Sequence, residues 1–161
     1  MRELGLCVAA VVLAFTSVAS ARPIAAAGVT REEVMNWLQN KGYDVTIKKD
    51  SVSGENFVAS SSQGVNWGIY FYSCNDRGFC NSLQYSAAWN DAHLTTDQMN
   101  IWNQTKRFVR AYTTAEGAAF GEYDFDVAPG GTWEALDQSL ARWEAQMPNF
   151  KKYVLDTAGG N

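Results

Sequence analysis

The sequence predicts an α+β domain: a single antiparallel sheet with helices packed on one face, in the order α-β-β-β-β-α-β-β-α. Three observations lead there. Short, turn-rich segments join stretches of alternating apolar and polar residues, which implies strands paired antiparallel. Two helix starts carry the same capping signature, Thr-x-x-Glu at Thr30 and Thr-x-x-Gln at Thr95. Each helical segment has one apolar stripe, so the helices cover one face of one sheet.

The chain opens on MRELGLCVAAVVLAFTSVASARP. A positive charge, an apolar run from Leu4 to Val18 and the small-residue site Ala19-Ser20-Ala21 follow the order of a secretory signal peptide. The run is too short for a stable membrane anchor. Cys7 lies inside it rather than after it, which argues against a lipid anchor. Cleavage is expected after Ala21, with Ala27 as the alternative, so the expected location is periplasmic or secreted. Residues 1–21 are read as the signal peptide, 22–28 (RPIAAAG) as a flexible leader and 29–161 as the folded domain. The net charge is −4 and there is no basic run, which makes the chain a poor ligand for phosphate. Nucleic acid and anionic membranes are discounted as partners on that ground.

The first helix starts at Thr30, with Val29 and Val34 placed to form a hydrophobic staple; Val34, Trp37 and Leu38 share a face, and Gly42 ends it. YDVTIKK then sets Tyr43, Val45 and Ile47 on one side, and ENFVASSS is a weaker strand after the turn residues DSVSG. VNWGIYFYSC alternates clearly, and CNSLQYSAAW answers it with Leu83, Tyr85, Ala87 and Trp89. The second helix begins at Thr95 and can staple Leu94 to Met99, with Trp102 and Thr105 on the Met99 face. FVRAYTTAEGAAFGEYDFDV reads as a hairpin turning at Ala115 to Gly117, which pairs Ala111 with Gly121 and Val109 with Tyr123. APGG breaks the chain. Trp133, Leu136, Leu140, Trp143 and Met147 follow at helical spacing, a stripe that packs on the sheet rather than forming a two-heptad dimer seam. Pro148 interrupts or kinks this helix, and NFKKYVLD extends it.

Cys74 and Cys80 decide whether a reactive centre is present. Placing them opposite each other leaves NDRGF as a five-residue loop, and the same register puts Phe71 opposite Leu83, Ile69 opposite Tyr85, Trp67 opposite Ala87 and Val65 opposite Trp89. One register therefore completes the apolar face and joins the cysteines, which lie on the other face with Tyr70, Tyr72, Ser82 and Gln84. Directly opposed residues in an antiparallel pair have Cα atoms roughly 4.5–5.5 Å apart, within disulfide range. Closing so short a loop is worth about 2–2.5 kcal/mol in the chain-entropy description. A metal site needs more ligands than this pair, the single histidine His93 and Asp76 supply, and C-x5-C is not a zinc spacing. A redox pair prefers C-x-x-C at a helix start. The cysteines are read as a structural disulfide.

Other candidate chemistry is sparse. Glu122, Asp124 and Asp126 alternate along one strand and read as a solvated strand face rather than an acid–base or cation site. His93 has no neighbouring nucleophile, Ser60 to Ser62 lack a nucleophile elbow, and the glycines before Thr132 lack a phosphate-loop lysine. No catalytic residue, metal ligand or cofactor is assigned.

Four segments carry a resemblance: TREEVMNWLQNKGYDV, YSCNDRGFCNSLQYSAAW, MNIWNQTKRFVRAYTTAEG and PGGTWEALDQSLARWEAQMPNF. Across roughly residues 29–155 the chain resembles the YbjN-domain family of bacterial proteins, often labelled sensory transduction regulators. Its most specific piece is WNQTKRFVRAY, with Trp102, Asn103, Arg107, Phe108 and Tyr112. The resemblance implies a fold similar to type III secretion chaperones, small domains that dimerise and bind segments of other proteins. It implies no catalytic residue. This chain differs from cytosolic members in its N-terminal signal segment. The expected function is an exported, non-enzymatic protein-interaction module, chaperone-like or regulatory, with a homodimer among the assemblies implied. The expected interaction face bears Tyr70, Tyr72, Gln84 and the disulfide, because a tyrosine-rich, partly polar surface suits adaptable contacts. A small-molecule or glycan binder using exposed aromatics is the rival reading; a hydrolase or redox enzyme ranks below both.

Overall fold

A computed structural model describes residues 21–160. The expected signal peptide, apart from Ala21, lies outside the described residues. The elements are α1 (Arg31–Asn40), β1 (Thr46–Lys49), β2 (Asn56–Ser62), β3 (Val65–Cys74), β4 (Cys80–Trp89), α2 (Thr96–Thr105), β5 (Arg110–Thr113), β6 (Ala119–Asp126) and α3 (Trp133–Gly159). The strands form one antiparallel sheet in the order β1-β2-β3-β4-β6-β5. After β4 the chain leaves through α2 to the far edge, returns as β5 and turns inward to place β6 against β4. This is the expected α+β class and element order.

Local chemistry explains the boundaries. Both expected capping boxes are present: the Thr30 hydroxyl accepts from the Glu33 N–H, the Thr95 hydroxyl accepts from the Gln98 N–H, and each Glu33 or Gln98 side chain returns to its cap. Val29, Val34, Leu94 and Met99, the expected staple residues, are all buried. Gln63 and Gly64 both have positive φ, as a two-residue hairpin turn between β2 and β3 requires. Between β3 and β4, the Asn75 side-chain oxygen accepts from the Arg77 and Phe79 backbone N–H groups and shapes the five-residue loop.

The helices all pack on one face. Ile69, Leu83 and Tyr85 are completely buried there, beneath Leu136, Trp143 and Phe150 of α3. Tyr85 stacks on Trp143 at 5.6 Å and shares a 2.8 Å hydrogen bond with Ser139. Trp102 of α2 meets Phe150 edge-on at 4.8 Å. The apolar stripe of α3 runs past Pro148 to Val154, so the helix is continuous over 27 residues. Proline lacks an N–H and leaves the carbonyl four residues earlier without its helical donor. That carbonyl belongs to Glu144, and the Gln63 side chain donates to it at 3.3 Å.

The segment at 22–28 packs against the domain at several residues. Ile24 is buried, its N–H donates to the Gly131 carbonyl at 2.9 Å, and Pro23 bridges to Thr132. Gly28 has φ +99°, and a Cβ there would lie 2.1 Å from the Cys80 carbonyl oxygen. Only glycine lets the chain pass so close. Two expectations change. The first strand is short: Tyr43 and Val45 pack against the core ahead of it, while Ile47 is half exposed. Thr105 is exposed rather than sharing the buried face of Met99 and Trp102. Its hydroxyl instead donates to the Ile101 carbonyl at 2.8 Å.

Trp102 is 1 % exposed, and its indole N–H donates to the Val109 carbonyl at 3.0 Å. Replacement of Trp102 by Ala removes a large ring and one buried hydrogen bond. A loss of about 3–5 kcal/mol is expected in denaturant unfolding; an unchanged midpoint would contradict the packing described.

Candidate functional site

The helices leave the opposite face of the sheet uncovered, and the residues there are set by register. One row is made of small side chains from β1 to β4, where Thr46 pairs with Ala59, Ala59 with Gly68 and Gly68 with Ser86, and it continues to Glu122 of β6, which faces Arg110. The rows on either side carry aromatics. Phe57 stacks on Tyr70 at 4.7 Å along one wall. Phe120 stacks on Tyr112 at 5.1 Å along the other. The result is a trough of about 420 Å³ floored by Ala59, Gly68 and Ser86 and reaching Phe120. Gly68 is needed for this shape. A Cβ there would stand 2.7 Å from the Phe57 ring and push it off the floor.

The polar groups beside the trough form two short networks. Tyr72 donates to the Gln84 side-chain oxygen at 3.2 Å, and the Gln84 amide donates to Asp124 at 2.8 Å. Arg110 pairs with Glu122, which also accepts from the Tyr112 hydroxyl at 2.9 Å. Glu122 is 7 % exposed, so it departs from the expected solvated face, whereas Asp124 and Asp126 are exposed as expected. A buried carboxylate needs a partner, and Arg110 arrives across the β5–β6 pairing. On the β1 side, Tyr70 donates to Asp50 at 3.4 Å.

Burial, then the Asp50 charge, pushes the Tyr70 phenol up to about 12. Burial first, then the hydrogen bond to Glu122, raises that of Tyr112. Tyr72 is raised by burial and by the Glu122 and Asp124 charges. Hydrogen bonds from the Ser53 N–H and hydroxyl hold Asp50 below the usual carboxylate range. These phenols are neutral hydrogen-bond donors at physiological pH.

The disulfide lies at one end of this face. Cys74 and Cys80 are bonded, with Cα atoms 3.9 Å apart, in the expected register. Both backbone groups of Cys80 are taken by Val29, the N–H at 2.8 Å and the carbonyl at 3.0 Å. Its pairing with Cys74 is therefore the type without backbone hydrogen bonds, in which side chains approach most closely. Cys80 is buried, whereas Cys74 is exposed. Tyr70, Tyr72 and Gln84 do share one face. Tyr72 is exposed, Tyr70 is half-buried against Phe57, and Gln84 is buried between its neighbours. His93 is exposed and stands against the Gly117 turn, away from this face.

The sequence reading missed the floor of the trough and the Arg110–Glu122 pair. Alternation shows which residues share a face, but alignment of Ala59, Gly68 and Ser86 with Glu122 depends on β6 returning beside β4. The specific segment WNQTKRFVRAY now has a physical account. The Asn103 amide clamps the outer edge of β5, accepting from the Ala111 N–H and donating to its carbonyl, both at 2.8 Å. It replaces a neighbouring strand. Phe108 turns the chain at φ +73° and meets Tyr123 edge-on at 6.3 Å.

Among the described residues no cluster of three or more His, Cys, Asp or Glu side chains is arranged to hold a metal ion. Among them, too, no helix is long and apolar enough to cross a membrane. Fold and face together define an α+β domain whose described helices cover one face of the sheet. Residues 30–155 match the YbjN family, described as "Putative bacterial sensory transduction regulator". The chain belongs to the YbjN family. A search among curated proteins finds no match.

Two measurements check the site. Stability is expected to hold up to about pH 10, the ordinary phenol value. The folded pKa of Tyr70 is raised, so its contribution is fully present below that value and lost as the pH rises toward about 12. Tyr70→Phe removes its share, and its stability should fall less steeply across that window. Separately, Arg110→Ala strands the buried Glu122 and is expected to cost about 1–3 kcal/mol. Glu122→Gln added to it should recover part of the loss in a double-mutant cycle.

Proposed function

We propose that this chain is an exported, non-enzymatic regulatory module that binds a segment of another polypeptide in the trough of its open sheet face. The observation that supports this most directly is the Ala59–Gly68–Ser86 floor between aromatic walls, left uncovered by the three described helices. Such a floor lets an extended main chain approach closely, while Tyr70, Tyr72 and Gln84 supply hydrogen-bonding groups at its side. Addition of a partner strand at the sheet edges is less favoured. β1 and β5 are four residues each, β1 ends in Lys48 and Lys49, and Asn103 already occupies the β5 edge. Export rests on the N-terminal segment, and a chaperone-like role on the kind of fold the family resemblance implies.

The size and aromatic walls of the trough also support a second reading, a small-molecule or glycan binder, since about 300–1,000 Å³ is the usual span of such sites.

A photo-crosslinking residue at Ala88, which is exposed beside the trough, should yield polypeptide adducts in the producing cell. The same residue at Glu144, on the helical side, should not. Ala88→Tyr, which fills the trough, and paired Tyr70→Ser and Tyr72→Ser should weaken capture by tenfold or so while circular dichroism stays unchanged. Adducts from Glu144 alone, or capture unaffected in both folded variants, would remove this face from consideration.

A further inference from the structure

The Arg22 backbone is held against the first turn of α3. The Arg22 backbone nitrogen donates to one Glu134 oxygen at 2.8 Å, and the Arg22 Nε donates to the other at 2.8 Å. The Arg22 carbonyl accepts from the Trp133 N–H at 3.0 Å, satisfying one of the donors that the start of α3 leaves without a helical partner. Ile24 follows into the core, while Ala21 is exposed. The backbone is therefore pinned from Arg22 onward and accessible immediately before it.

We infer that the Ala21–Arg22 bond is the processing site and that the ammonium group released there is held by the Glu134 carboxylate as a maturation latch. The inference rests on the export reading above. In the reaction, water adds across the amide under a signal peptidase. The C–N bond breaks, Ala21 takes the hydroxyl and leaves as a carboxylate, and the Arg22 nitrogen takes a proton and becomes a primary amine, protonated at neutral pH. The nitrogen that donates as an amide thus gains a full charge without having to move. The start of a helix disfavours a nearby cation. Glu134, in the first turn of α3, is the group that offsets it.

The alternative cut after Ala27 is disfavoured by the same contacts. It would remove Ile24 from the core, the Pro23–Thr132 bridge and the hydrogen bonds to Gly131 and Trp133. The charged groups around the amine come from both neighbouring helices. α3 presents Glu134 and Asp137; α1 presents Glu33, and Lys41, the residue that caps its end, is already paired with Asp137 at 2.8 Å. The Arg22 guanidinium is the other cation, and Glu134 binds it through its second oxygen.

A nearby carboxylate favours the charged form of an amine, so the Arg22 α-amine should titrate above its usual range. A raised folded-state pKa gives stability that is fully present below about pH 8 and lost as the pH rises through the folded value. The full-length chain, produced in a bacterium with its own N-terminal segment, is analysed by intact mass after export. A mass beginning at Arg22 is expected. The exported product is then labelled with 13C-methyl groups at its amines and titrated by NMR. The α-amine should titrate at a higher pH in the exported protein than in the exported Glu134→Gln variant. A retained Met1 removes the export reading and this inference together. An exported chain beginning at Gly28, or an α-amine with the same pKa in both proteins, removes the inference alone.

Discussion

The contact of Phe150 with the bare backbone at Gly121 decides how the two layers meet. A Cβ at Gly121 would lie 2.5 Å from the Phe150 ring, so only glycine lets the ring reach the sheet. Phe150 is completely buried and touches Trp89 and Trp102 edge-on. It thereby joins α3, the end of β4 and α2 at one point. Large-ring burial of this kind is a leading favourable term in a core, and a cavity or clash here would loosen all three elements. Because Phe150 follows Pro148, the helix must continue past a residue that ordinarily breaks it. Gln63 and Lys151 tie the β2–β3 turn to that stretch, through the Glu144 carbonyl and the Gly64 carbonyl.

Commitment of the three described helices to one side leaves the other side of the sheet to side chains alone. An uncovered face with large apolar groups invites aggregation, and one with unpaired charges destabilises the sheet. Here the aromatics stack in pairs and flank a floor of small residues, while Glu122, Asp124 and Gln84 are hydrogen-bonded to neighbours on adjacent strands. The shape of the face is consequently set by contacts between its own side chains. It is a property of the whole sheet, since each row draws residues from four or more strands.

The N-terminal segment shows the same economy. Ile24 fills a space beside the start of α3, and Gly28 and Val29 occupy the place next to Cys80 that β6 leaves after Asp126. The disulfide and the leader are thus parts of one arrangement, in which Val29 directs the Cys80 backbone and leaves its side chain facing Cys74.

Local sequence by itself determined the strands after the first, the helix caps, the β3–β4 and β5–β6 registers and the disulfide. Each follows from interactions within a few residues or across a short hairpin, such as the Thr30–Glu33 box or the loop between Cys74 and Cys80. The expected face was legible to the same extent: Tyr70, Tyr72 and Gln84 share it because strands alternate. Only the tertiary structure decided that Glu122, opposite Arg110 in the β5–β6 register, is buried, that Gly68 lies between Ala59 and Ser86 on a trough floor, and that Arg22, Ile24 and Gly28 are packed against the domain. These depend on contacts between distant segments, β4 with β6 and Arg22 with Glu134. Composition carries no signal for such pairings: RPIAAAG reads as a loose, small-residue stretch until α3 supplies the surface that buries Ile24.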